Sequence, residues 1–123
     1  MAALVIFSVD VRRLATFYEA VLGVTPVGES SRDIRLRSDS DEVLIHSVSA
    51  SVAKKIHVAT PPEPREGAAI KPVFEVESMR EALASVRGHG GVITDFNFVL
   101  DGLQRHDVID PDGNVIQLRC STG

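Results

Sequence analysis

Ile6-Phe7-Ser8-Val9-Asp10 (IFSVD) returns later in the chain as Val73-Phe74-Glu75-Val76-Glu77 (VFEVE), a constant step of 67 residues. The same step carries Gly23 onto Gly90, so a strand-like stretch, the segment after it and a closing glycine keep pace in both copies. Self-similarity of this kind marks a supersecondary unit that occurs twice, and it decides how the rest of the chain is divided.

Between each strand-like stretch and its glycine the apolar period changes from two to between three and four. Leu14, Phe17 and Val21 predict a helix over Arg12–Leu22, and Met79, Ala82, Leu83 and Val86 predict one over Met79–Val86. Asp10 and Ser78 are suited to the N-cap region, and Gly23 and Gly90 to a left-handed exit turn. Three strand-like stretches follow each glycine: Thr25–Val27, Asp33–Arg37 and Glu42–Val48, then Gly91–Asp95, Leu103–Ile109 and Asn114–Arg119. Ile34 and Leu36 alternate with Arg35 and Arg37 as in a half-buried strand, whereas Val43-Leu44-Ile45 is a continuous core run.

The expectation is an α+β fold of two βαβββ units, 1–48 and 72–123, whose curled mixed sheets share a cup-like cleft. The intervening 49–71 holds Pro61, Pro62, Pro64 and Gly67 and reads as a linker, within which Lys55–Thr60 is an expected extra edge strand.

Composition agrees with one core. The chain has 123 residues, 44% of them hydrophobic, which suits a single domain that needs no staples. Thirteen Lys plus Arg against 17 Asp plus Glu give a net charge of -4 with both signs scattered, which argues against nucleic acid and anionic membranes as partners. Five Phe, one Tyr and no Trp offer no stacking platform for bases. The apolar opening Ala2–Val9 is too short to span a bilayer and reads as a buried strand. The one cysteine, Cys120, cannot form an internal disulfide, so a cytoplasmic setting is the default expectation.

Asp110-Pro111-Asp112-Gly113-Asn114 (DPDGN) is a tight turn by its residue types, leading into the buried strand Val115-Ile116-Gln117-Leu118. Together with the Phe17-Tyr18 pair ahead of Leu22-Gly23 and with Gly90-Gly91, the sequence DPDGNVIQL resembles the glyoxalase, bleomycin-resistance and extradiol-dioxygenase superfamily, also called the vicinal oxygen chelate superfamily. The resemblance spans nearly the whole chain. It implies a cup built by a curled sheet from each half, with two chains pairing as a homodimer, but fold alone does not fix function.

Metal-dependent members of that superfamily carry His, Glu or Gln near the first strands and in the last strands of the two halves, which directs attention to Leu4, Lys71, His46 and Gln117. Leucine has no donor and a lysine cation repels a divalent ion, so only His46 and Gln117 are candidate ligands, two neutral donors where three or four are usual. No metal or other cofactor is expected on this count. A displaced site in which His57, His106 or Glu75 joins His46 and Gln117 is the alternative.

Strand alternation adds Ser8 in the first half and Glu75 in the second, so the expected ligand-binding set is His46, Lys71, Glu75, Gln117 and Ser8, with Lys71 and Glu75 able to pair with each other. His106 and Asp107 are adjacent on a strand, point to opposite faces and do not make a working dyad. Three functions stay open: binding of a small organic molecule without a metal, metal-dependent lyase or dioxygenase chemistry, and a regulatory or assembly role without catalysis. No catalytic residue is assigned.

Overall fold

The computed structural model describes residues 2–39, 41–65 and 68–121; Gly67, one of the expected linker breakers, lies outside them. The elements run β1 (Ala2–Ser8), α1 (Val11–Leu22), β2 (Pro26–Glu29), β3 (Asp33–Arg37), β4 (Asp41–Ser47), α2 (Ala50–Ala53), β5 (Val73–Glu75), α3 (Met79–Gly88), β6 (Val92–Leu100), β7 (Leu103–Ile109) and β8 (Val115–Ser121). Two mixed four-stranded sheets result, ordered β1-β4-β3-β2 and β5-β8-β7-β6. In each, the first strand of the half lies parallel to the last, and the other neighbours are antiparallel. This is the α+β, twice-repeated βαβββ arrangement expected from the repeat.

Both long helices begin where the sequence indicates. The Asp10 carboxylate accepts from Arg13 N–H, and the Ser78 hydroxyl accepts from Glu81 N–H, each satisfying one of the unpaired donors of a helix start. Gly23 and Gly90 both have positive φ, 68° and 83°. The caps Asp10 and Ser78 stand 68 residues apart, one more than the sequence repeat. Faces follow the caps: Ile6 pairs with buried Ile45, and Phe74 pairs with buried Leu118. The structural step is therefore 68 through the first strands and helices. It falls to 67 at the glycines, which explains the sequence match.

Two stretches differ from expectation. Lys55–Thr60 is not a strand: Ser49 caps α2, and the Lys55 and Ile56 N–H groups donate back to Val52 and Ala53, so this backbone closes a helical turn. β6 runs on to Leu100, past Asp95, because Asp101 (φ 52°) and Gly102 (φ 72°) make a two-residue hairpin turn that joins it to β7.

α1 buries Leu14, Ala15, Phe17, Tyr18 and Val21, and one cluster of buried apolar residues takes in both helices and the inner faces of both sheets. The DPDGN turn is anchored in it. The Asp110 carboxylate, fully buried, accepts from the backbone N–H groups of Asp112 and Asn114 and from the Asn114 amide, all at 2.9 Å, and from the Tyr18 hydroxyl at 2.6 Å. Arg13 of α1 reaches Asp112 at 2.9 Å, and Arg65 of the linker donates to the Asp112 carbonyl at 3.0 Å. Gly113 takes φ 90° where a Cβ would run into the Glu63 carbonyl. Burial pushes the Asp110 carboxyl up even though its hydrogen bonds act the other way, and burial, then Asp110, pushes the Tyr18 phenol well above its usual range.

Gly91 has a different task. A Cβ there would lie 2.5 Å from Phe17 Cε2 and 2.9 Å from the Ile109 carbonyl, so the Gly91 backbone is seated against α1. Gly91→Ala is expected to cost about 1–3 kcal/mol in urea unfolding, the range for overpacking a core. An unchanged midpoint would show that Phe17 has room to yield.

Replacing Tyr18 by Phe removes one charge-assisted donor from a buried carboxylate, and the expected cost at neutral pH is about 1–3 kcal/mol. In the unfolded chain this phenol ionises near pH ~10, whereas the folded chain retains its proton, so the native state binds more protons above that pH and loses stability as pH rises. Tyr18 is the sole tyrosine. Unfolding titrations should therefore show wild type and Tyr18→Phe converging as pH climbs above ~10. A gap that stays constant would rule out the linkage.

Candidate functional site

On β1 and β4 the register Ile6↔Ile45 and Phe7↔His46 sorts the side chains. Val43 and Ile45 are buried with Leu4 and Ile6 packed against the same core, while Val5 and Phe7 stand 51% and 59% exposed on the opposite, open face. His46 shares that open face. Its ring meets Phe7 edge-on at 5.8 Å, and its Nδ1 lies 3.7 Å from Asp33 Oδ2, on the strand position directly across β3. A concavity of about 810 Å³ opens beside it, bordered by Phe7, Arg32, His46, Val48, Val52 and Arg65, with Ile56 from the segment after α2. Its size falls in the range of small-molecule sites.

Ser8 is placed elsewhere. It has the parity of Leu4 and Ile6, is 1% exposed, and its hydroxyl accepts from Asp10 N–H at 3.0 Å, so it secures the entry to α1.

Lys71 and Gln117 meet at Asp107 on the open face of the second sheet, and Glu75 lies on that face two positions along β5 from Val73. Gln117 is the cross-strand partner of Val73 on one side and of Asp107 on the other. Its amide nitrogen donates to Asp107 Oδ1 at 3.0 Å, and its oxygen accepts from Arg105 Nη1 at 3.2 Å. Lys71 donates to Asp107 Oδ2 at 2.6 Å and lies 5.2 Å from the centre of the Phe96 ring. Glu75 pairs with Arg119 at 2.8 Å. Lys71 and Glu75 thus have separate partners, contrary to the expected pairing of the two, because Asp107 lies beside Gln117 and Arg119 directly across from Glu75.

By the structural step, the counterpart of Phe7–His46 in the second half is Glu75–Arg119, so His46 matches Arg119, and Gln117 matches Leu44. His46 and Gln117, the two candidate ligands on the last strands, are therefore not equivalent positions but stand two residues out of register. Arg105 and Arg119 were not singled out by sequence reasoning, and Asp107 was weighed only as a neighbour of His106. Alternation from Gln117 along β8 and across to β7 would have found them.

Among the described residues the donors do not fit the divalent metal that the sequence resemblance led one to look for. Leu4 faces the core side, Lys71 is held by Asp107, and the Gln117 oxygen is already turned to a guanidinium. Among the described residues, no group of three His, Cys, Asp or Glu side chains is arranged to hold an ion. Of the other histidines and the cysteine, His106 Nε2 lies 2.8 Å from the Thr94 carbonyl, His89 Nδ1 3.0 Å from the Ser85 carbonyl and Cys120 Sγ 3.3 Å from the Glu77 carbonyl, while His57 lines a different hollow from His46, beside Ile56 and Asp112. No described helix is long and apolar enough to cross a membrane.

Neither a family model nor a curated protein matches the chain. Solved structures do. A glyoxalase/bleomycin resistance protein from Albidiferax ferrireducens is 20% identical, with TM-score 0.71 over 98% of this chain and 97% of that one. A glyoxalase/bleomycin resistance protein/dioxygenase family enzyme from Burkholderia phytofirmans is 15% identical, with TM-score 0.73 over 97% and 96%. The fosfomycin resistance protein FosX from Listeria monocytogenes is 11% identical, with TM-score 0.69 over 99% and 93%. With two mixed β1-β4-β3-β2-type sheets, capped helices and these neighbours agreeing, the chain has the fold of the glyoxalase/bleomycin resistance proteins.

Proposed function

We propose that this protein binds a small organic molecule in the concavity beside His46, without a metal ion. The observation that carries the reading is the make-up of that hollow: an exposed Phe7 ring held against His46, an apolar wall of Val48, Val52 and Ile56, and the cations Arg32 and Arg65 at its border. An apolar body laid on Phe7 removes its surface from water, which is the main gain available at such a site. His46, steadied by Asp33 and Phe7, offers its Nε2 for a hydrogen bond, and the arginines favour a ligand with an acidic group. Among the described residues no donor set fits an ion that would polarise a substrate's oxygens, and this favours sequestration over metal-assisted chemistry.

Anilinonaphthalene sulfonate, an apolar anion, is a suitable probe. Titrated into chelator-treated protein, its fluorescence should rise with saturation, and Phe7→Ala and Val52→Asp should each weaken binding about tenfold, or ~1.4 kcal/mol, while circular dichroism stays unchanged. Binding that ignores both substitutions would remove the hollow as the site. Saturation that appears only on adding zinc or manganese would favour the metal-dependent reading.

A further inference from the structure

On the open face of the second sheet two arginines stand directly opposite one another on neighbouring strands, Arg105 of β7 and Arg119 of β8. Like charges at directly opposed cross-strand positions oppose pairing unless something neutralises them. The equivalent positions of the first sheet hold a complementary pair, Asp33 and His46. The second half has exchanged acid and imidazole for two permanent cations.

Their present partners do not account for them. Arg105 gives one terminal nitrogen to the neutral oxygen of Gln117, and Arg119 gives one to Glu75, a carboxylate 62% exposed at the rim where an ion pair contributes little. Each guanidinium keeps its Nε–H shielded from water with no acceptor at all. Asp107, a buried acid two positions from Arg105 on β7, is already occupied by Lys71 and Gln117. Among the groups these contacts join, Lys71, Arg105 and Arg119 outnumber Asp107 and Glu75 by one positive charge. Phe98, the cross-strand partner of Arg105, packs against Phe96 at 5.4 Å and supplies an apolar wall beside the cations.

We propose that Arg105 and Arg119 form an oxyanion site, separate from the hollow beside His46, that grips the carboxylate or phosphoryl group of a small molecule between their two guanidinium forks. An acceptor oxygen set there satisfies both Nε–H groups after a small turn of either guanidinium, neutralises the opposed charges, and leaves the rest of the molecule to lie on Phe98. Arginine is the residue suited to this, because its planar fork presents paired donors to a planar or tetrahedral oxyanion.

The test follows the melting of the full chain in a buffer free of both ions, with inorganic phosphate in one arm, acetate in the other, and sodium chloride of matched ionic strength as control. Phosphate, acetate or both should raise the midpoint beyond the chloride control in a saturable way, and the stronger arm identifies the head group. Arg105→Gln and Arg119→Gln, which remove the charge and leave a shorter, hydrogen-bonding amide, should each weaken that response at least about tenfold while melting at or above the wild-type midpoint in chloride. Phe7→Ala should respond as wild type does, which keeps failure here distinct from failure of the hollow. A response equal to chloride in both arms, or one that persists in both arginine variants, overturns the proposal.

Discussion

The buried carboxylate of Asp110 is the constraint on which the rest of the molecule depends. It belongs to the last turn of the second half, yet one of its four donors is Tyr18 from the helix of the first. Three donors from its own turn shape the loop, and the fourth attaches that loop to α1. A buried acid demands such saturation, since any lone pair left unfilled is costly in a water-free interior. Once Tyr18 is committed, Phe17 on the adjacent position is brought over Gly91, and α1 is fixed against both halves. The linker is drawn in as well, through Arg65 on the Asp112 carbonyl and the Arg65 N–H on the Gly113 carbonyl.

Around that clasp the two halves have kept one architecture and diverged in chemistry. Their inner faces stay apolar because both pack on the same core, with Ile6 and Ile45 in one answering to Phe74 and Leu118 in the other. The outer faces are under no such demand. Where the first half sets Phe7, His46 and Asp33 side by side across three strands, the second sets Glu75, Arg119 and Arg105. The first is an aromatic edge with a polar tip beside an open hollow, and the second is a cation-rich surface threaded by a glutamine. Neither arrangement resembles a metal cage, for Gln117 and Lys71, which stand near where ligands would be sought, are spent on each other's neighbour Asp107.

Much of this was legible in the sequence, and for local reasons. Helix starts at Asp10 and Ser78, the exits at Gly23 and Gly90, the alternation of Asp33–Arg37 and the turn chemistry of DPDGN each depend on residues within a few positions of one another. The Asp101-Gly102 hairpin signal was equally local and shows why β6 extends past Asp95. A repeat of nearly fixed step then forces two like units. What the sequence could not determine was which side chains meet across strands, because a shift of one residue in the repeat exchanges the two faces of a strand.

That shift is what separated expectation from outcome at the site. A step of 67 groups Ser8 with the open face, but the true step of 68 through β1 and β5 puts it beneath α1 and sets Phe7 against His46. The pairing of Lys71 with Asp107, of Glu75 with Arg119, and of Tyr18 with Asp110 joins residues 36, 44 and 92 positions apart. The sequence by itself determined the elements, since propensity, capping and turn geometry act over a few residues. Only the tertiary structure decided the partners, since hydrogen bonds and ion pairs depend on register and distance that no local preference encodes.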